Sequence, residues 1–206
     1  MAVCSLAIRI FNEWLPRAQA KLQPGQNPLP FGRSVARDAY RSAGRLDRAV
    51  PLAKEAVAEA RRLYDSDDLR LADALAPLGY MLLRVQQPAE AEKELRESLA
   101  IREKKEPDAW ATFRDKSLIG HALLDQNKHS EAEPLLTQGY NGLEERKAKI
   151  PAPVQPAYLG EALQRLVRLY DRWGKPEQAD PWRKKLEAHK LKTRPESPSL
   201  KQEKKE

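Results

Sequence analysis

Four short segments of this chain end on alanine at nearly fixed intervals. They are Gly44-Arg45-Leu46-Asp47-Arg48-Ala49, Gln86-Gln87-Pro88-Ala89-Glu90-Ala91, Asn127-Lys128-His129-Ser130-Glu131-Ala132 and Gly174-Lys175-Pro176-Glu177-Gln178-Ala179, and their closing alanines lie 42, 41 and 47 residues apart. A period of this size builds a chain from copies of one small unit that buries its apolar face only by stacking on its neighbours. The first residues are Gly, Gln, Asn and Gly, mostly types that tolerate the left-handed backbone closing a helix, and Asp47 and Ser130 are suited to cap the helix that follows. Each segment therefore reads as a tight turn between two helices.

A second mark of register is proline two residues after the alanine, at Pro51, Pro134 and Pro181, with Lys93 in the remaining copy. Proline is tolerated near a helix start, where backbone N–H groups lack intrahelical partners, so these positions are expected in first turns. Amphipathic stretches flank each turn, for example Leu75, Leu78 and Leu82 before one and Leu135, Leu136 and Leu143 after another. Small residues recur where paired helices cross: Gly79 and Gly120 in first helices, Ala91, Ala132 and Ala179 in second ones. Pro77 falls inside a first-helix stretch, which either starts late or bends there.

The expected fold is all-α, a right-handed superhelix of about four helix pairs. Residues 1–30 are read as an N-terminal helix (Leu6, Ile10, Phe11, Trp14) and a proline-rich linker. Residues 31–190 form the array, with pairs at 31–68, 69–108, 109–150 and 156–190, and the Pro-rich run Ile150 to Pro156 accounts for the longer last spacing. Residues 191–206 are rich in Lys, Glu, Pro and Ser without apolar periodicity and are expected to be a disordered basic tail.

Composition supports helix over sheet: 206 residues, 9 glycines, 6% aromatic. The formal charge of +7 suggests nucleic acid or an acidic membrane, so its location matters. Residues 1–70 carry 12 basic and 8 acidic groups, 71–182 carry 16 and 18, and 183–206 carry 9 and 4. The excess sits at the ends, the repeats are slightly acidic, and the tail lacks aromatics for base stacking, so nucleic acid is disfavoured as a partner. No stretch is long and apolar enough to cross a bilayer. The single cysteine, Cys4, excludes an internal disulfide and suits a reducing compartment, so a cytoplasmic location is expected.

The repeat resembles the tetratricopeptide repeat (TPR) in the longer form of about 42 residues found in kinesin light chains, over roughly Phe31 to Glu187. Leu78-Gly79, Leu82, Ala91, Leu95 and Ser98 fall on that family's pattern of large and small positions, as do Ile119-Gly120, Leu123, Ala132, Leu136 and Gly139. The last copy keeps Leu166, Tyr170 and Ala179 but has Val167 at the small position and Arg183 at a large one. The first keeps Tyr40, Ala49 and Ala56 but has Arg37 at the small one. The runs Ala89-Glu90-Ala91-Glu92, Leu99 to Lys105, Glu131 to Leu136 and Trp182 to Leu186 further resemble the C-terminal TPR tail of bacterial serine/threonine protein kinases. That resemblance implies a tail recruiting substrates or partners to a catalytic domain on a separate chain, since G-x-G-x-x-G, H-R-D and D-F-G are absent here.

No catalytic residues are nominated, and no cofactor or metal is expected. His121, His129 and His189 lie in different elements, and none has a second His or Cys at i+3 or i+4. The TPR resemblance implies a concave face built from the first helix of each pair. By register, outward positions there are Ser34, Asp38 and Arg41; Asp73, Tyr80 and Leu83; Arg114, Ser117, His121 and Leu124; and Glu161, Gln164, Arg168 and Asp171. The candidate partner-binding residues are Asp73, Tyr80, Leu83, Arg114, His121, Leu124, Gln164 and Arg168. They suit an extended peptide or a helix carrying an acidic group. TPR domains that clamp a chaperone's terminal carboxylate repeat an Asn on these helices; Asp38, Tyr80, His121 and Arg168 stand there instead, which disfavours that ligand. The expected function is a non-enzymatic scaffold for a protein or peptide.

Overall fold

The computed structural model describes residues 37–38 and 40–193. The N-terminal helix, Cys4, Ser34 and the tail beyond Thr193 lie outside the described residues. A helical segment ending at Ser42 is followed by seven α-helices: α1 (Leu46–Leu63), α2 (Leu69–Arg84), α3 (Pro88–Lys105), α4 (Trp110–Asp125), α5 (His129–Glu145), α6 (Gln155–Arg172) and α7 (Pro176–Thr193). A 3-10 turn, Lys147–Lys149, precedes α6. Among the described residues there is no strand. Consecutive helices pack on one another, and α2, α4 and α6 also touch in succession, so the first helices of the pairs line one side of the stack.

The turns inside the pairs share one geometry. Gly44, Gln86, Asn127 and Gly174 all have positive φ, at 72°, 59°, 62° and 72°. In each the next residue's N–H bonds back to a carbonyl five residues earlier at 2.9 Å: Arg45 to Tyr40, Gln87 to Leu82, Lys128 to Leu123 and Lys175 to Tyr170. This is the six-to-one bond of a Schellman cap, and it satisfies carbonyls that the ending helix leaves orphaned.

The following helices begin earlier than expected. Their N-caps are Arg45 and Lys128, neither with a side-chain cap bond, so Asp47 and Ser130 fall inside the first turn instead of capping. For the same reason Pro51, Pro134 and Pro181 sit in second turns, where each removes one i to i−4 bond. All three prolines are exposed, so the carbonyl each leaves unpaired lies on a solvated face. Pro77 lies inside α2, which continues through it to Arg84. Asp68 caps α2, its carboxylate accepting the Arg70 N–H at 2.8 Å. α7 runs to Thr193, so residues 191–193 are helical and not part of a disordered tail.

One apolar core runs the length of the stack, from Tyr40 to Leu186. It is built at recurring sites. A Cβ on Gly79 would stand 2.4 Å from Leu95 Cγ, and one on Gly120 2.6 Å from Leu136 Cγ. The last pair reverses the allocation: Val167 replaces the glycine, and Arg183 replaces the leucine and swings out to ion-pair with Asp171 and Asp180. A second site shows the same trade. Phe113 of α4 packs so closely on Gly142 of α5 that a Cβ there would meet its ring at 2.0 Å, whereas at the equivalent register α6 carries Gly160 and α7 carries His189.

One joint is polar. Asp115 of α4, 1% exposed, receives the Ser98 hydroxyl of α3 at 2.6 Å and lies 3.3 Å from Arg102 Nε. Ser98 Oγ is also 3.2 Å from the Ala72 carbonyl of α2, so one hydroxyl proton faces two acceptors. The proton serves one acceptor at a time, and the shorter contact is the one to Asp115. Burial pushes the Asp115 carboxyl up to about 6, against the lowering effect of Ser98 and Arg102. Arg102 further binds Asp73 at 2.5 Å and pairs with Glu106.

Candidate functional site

The first helices expose one face because their other sides are occupied by Leu71, Leu75, Leu78 and Leu82 on α2, Leu118, Ile119 and Leu123 on α4, and Leu163, Leu166 and Leu169 on α6, all buried. On the remaining face a cavity of about 230 Å³ is lined by Tyr80, Leu83 and Arg84 of α2, His121 of α4, and Glu161, Gln164, Arg165 and Arg168 of α6. Five of the eight candidates therefore meet there: Tyr80, Leu83, His121, Gln164 and Arg168.

The other three do not line it. Leu124 is fully buried and belongs to the core, because Leu123 and Leu124 fall where α4 meets helices on both sides. It is not a surface residue. Asp73 is exposed but tied to Arg102 of α3, away from the cavity. Arg114 lies beside it, its guanidinium carbon 4.5 Å from the Tyr158 ring centre and 5.9 Å from that of Tyr80, and Tyr158 in turn stacks on Trp110 at 5.6 Å. Of the other outward positions, Ser117 is fully buried and Asp171 is engaged by Arg183.

Three lining residues are not among the candidates: Glu161, which is one of the outward positions, and Arg84 and Arg165, which are not. Arg84 is one turn beyond Tyr80, and its Nη1 donates to the Tyr80 hydroxyl at 3.3 Å. Arg165 is a turn beyond Glu161, at the repeat register that buried Leu118 occupies in α4. The i, i+4 pairing of opposite charges on α6 was the available signal. Arg165 is 6% exposed, donating to Glu161 at 2.6 Å and to Ser117 Oγ at 3.2 Å. Burial lowers its guanidinium from the ordinary value while Glu161 counters that, and an arginine stays charged throughout. The Tyr80 hydroxyl donates to Glu161 at 3.3 Å, so α2 and α6 are bridged across the face of α4.

His121 is driven down to about 4 by burial and by the nearby Arg165, Arg168 and Arg172 cations. It is therefore neutral at pH 7, with Nε2 positioned to accept from Arg168 Nη1 at 3.1 Å. Asp125 is 3.3 Å from Arg168 and 2.9 Å from Arg172, and serves as their common anion. The lining thus holds three guanidinium groups and one carboxylate. Among the described residues no group of three His, Cys, Asp or Glu side chains could hold a metal, and no helix is long and apolar enough to cross a membrane.

The tetratricopeptide repeat family matches residues 38–104. Similar solved structures include the nearly identical TPR-like repeats of a Podosopora anserina kinesin light chain, at 20% identity over 93% of this chain and 94% of that one, with a TM-score of 0.64. BtubC (BKLC) from P. vanneervenii is similar at 17% identity over 96% of this chain and 78% of that one, with a TM-score of 0.69. No curated protein matches the sequence. The likeness to these structures is one of fold: the described chain is an all-α, TPR-like solenoid of helix pairs, with a tetratricopeptide repeat match over 38–104.

Proposed function

We propose that the chain is a non-enzymatic protein-interaction scaffold that holds a peptide or partner helix against α2, α4 and α6, with a carboxylate of the partner at Arg168 and Arg84. The observation that carries this reading is the charge imbalance of the concave cavity. Glu161 is committed to buried Arg165 and Asp125 is shared between Arg168 and Arg172, while Arg84 and Arg168 are exposed at the rim and present further donors suited to a carboxylate. Tyr80 supplies apolar surface beside them, whereas Leu83, 2% exposed and part of the core, only backs the cavity and is not the surface contact expected of it. Affinity capture with the full chain, followed by Tyr80→Ala, His121→Ala and Arg168→Ala, tests it. Loss of a partner on Arg168→Ala supports the reading, and unchanged capture of every partner by all three variants contradicts it.

A second reading rests on the kinase-tail resemblance of Leu99 to Lys105 and Glu131 to Leu136: the chain brings substrates to a separate serine/threonine kinase. A captured partner bearing H-R-D and D-F-G motifs supports this, and captures that never contain one count against it.

A further inference from the structure

A larger cavity, about 560 Å³, lies elsewhere in the stack, where the end of α5 and the second half of α7 flank the start of α6. Leu159, Leu163 and Tyr140 form its apolar side, and Lys147, Lys185 and Lys192 stand around it. The volume is within the range of clefts that take a ligand or side chain, roughly 300 to 1,000 Å³.

The preceding pair shows that this groove is not a generic consequence of the repeat. At the register of Leu159 it carries Thr112, whose hydroxyl donates to the Glu106 carbonyl at 2.8 Å. At the register of Leu163 it carries Lys116, paired with Glu103 at 2.9 Å. There Arg146 also lies over Phe113, 4.1 Å from the ring centre, and binds Asp108. That groove is polar and satisfied by its own residues. In the last pair the same positions are apolar, and His189, whose Nε2–H donates to the Pro156 carbonyl at 2.8 Å, is held as a wall.

The charges are also unbalanced. Glu144 and Lys147 pair with each other at 2.7 Å. Among the described residues Lys185 and Lys192 have no carboxylate partner; Lys185 lies over the Trp182 ring at 4.6 Å. An apolar floor beside two ammonium groups fits a segment with an apolar side chain between carboxylates.

We propose that this α5–α6–α7 groove is a second protein-binding site, taking a partner segment that seats an apolar side chain over Leu159 and Leu163 and sets acidic side chains against Lys185 and Lys192. It is separate from the concave cavity, so either site can fail without the other.

The test is selection of a random phage-displayed peptide library on the full chain, with the enriched peptides titrated against variants. Ala188→Trp fills the groove, Lys185→Glu with Lys192→Glu reverses its charge, and Arg168→Glu is the concave-face control. The expected result is enrichment of sequences with Asp or Glu flanking an apolar residue, bound at least about tenfold more weakly by both groove variants and unchanged by Arg168→Glu. No enrichment, or peptides indifferent to both groove variants, overturns the proposal. So does self-association of the unliganded chain that Ala188→Trp abolishes, which would make a second copy the occupant. Binding to phosphatidylserine vesicles without enrichment of acidic peptides would make it a lipid surface and overturns it equally.

Discussion

Tyr80 of α2 and Glu161 of α6, 81 residues apart in sequence, meet across the concave face at 3.3 Å, and the same carboxylate receives buried Arg165 at 2.6 Å. The two bonds differ in consequence. Tyr80→Phe removes a half-buried, long hydrogen bond and is expected to lower unfolding free energy by no more than about 1 kcal/mol. Glu161→Ala leaves a buried guanidinium with Ser117 as its remaining partner and is expected to cost more, about 2 to 3 kcal/mol, below the full penalty for a broken buried pair because Glu161 is partly solvated. Urea denaturation of the two variants checks the order.

The Asp115 joint makes stability depend on pH with a defined sign. Its folded-state carboxyl, raised to about 6, holds its proton where the unfolded one, near 3.8, has lost it. The contribution to stability is fully present below about pH 4 and is lost as pH rises through about 6. Between pH 5 and pH 7.5 the wild type should lose on the order of 1 kcal/mol that Asp115→Asn does not lose. Denaturation midpoints of both proteins at the two pH values measure it, and parallel changes would show that Asp115 is ionised in the fold.

The two glycine and large-residue contacts separate in the same way. Gly142→Ala drives a methyl into the Phe113 ring, which is pinned under Arg146, and should destabilise by about 1 to 3 kcal/mol. Gly160→Ala meets His189 at 3.3 Å and gains helix propensity, so its effect should lie within about 1 kcal/mol of zero. Thermal unfolding of the pair is the measurement.

Leu124 was nominated as a contact residue and is core. Leu124→Ala should cost about 2 to 5 kcal/mol of stability and leave partner affinity of the folded protein unchanged. Arg168→Ala should do the reverse, losing affinity with little change in stability, because its side chain is 46% exposed. Calorimetric binding and unfolding on both variants distinguish them.

The repeat was legible because its marks are local. A left-handed position needs Gly or Asn, a close crossing needs Gly or Ala, and Gly44, Asn127, Gly174, Gly79 and Gly120 stand where those demands fall. Even Gln86, a less obvious choice, adopts φ 59° because the Schellman bonds around it are made as in the other turns. The helix starts were less legible: Asp47 and Ser130 look like caps, yet the short turns leave Arg45 and Lys128 in those positions. The concave face was legible wherever polar and large side chains followed the outward register. It failed at Leu124, which is apolar because it is packed on two sides, and at Arg165, a charge at a core register. The Asp115, Ser98 and Arg102 joint left no local signature, since its members come from different helices and only packing brings them together.

The claim that α2, α4 and α6 form the partner-binding face is tested most directly by amide chemical-shift mapping, with binding segments of the captured partners titrated into the full chain. The account predicts that at least one segment shifts amides centred on Tyr80, His121, Gln164 and Arg168, and that Arg168→Glu abolishes those shifts. Shifts confined to the outer helices α3, α5 and α7 for every segment, or shifts on the concave face that survive the charge reversal, would contradict it.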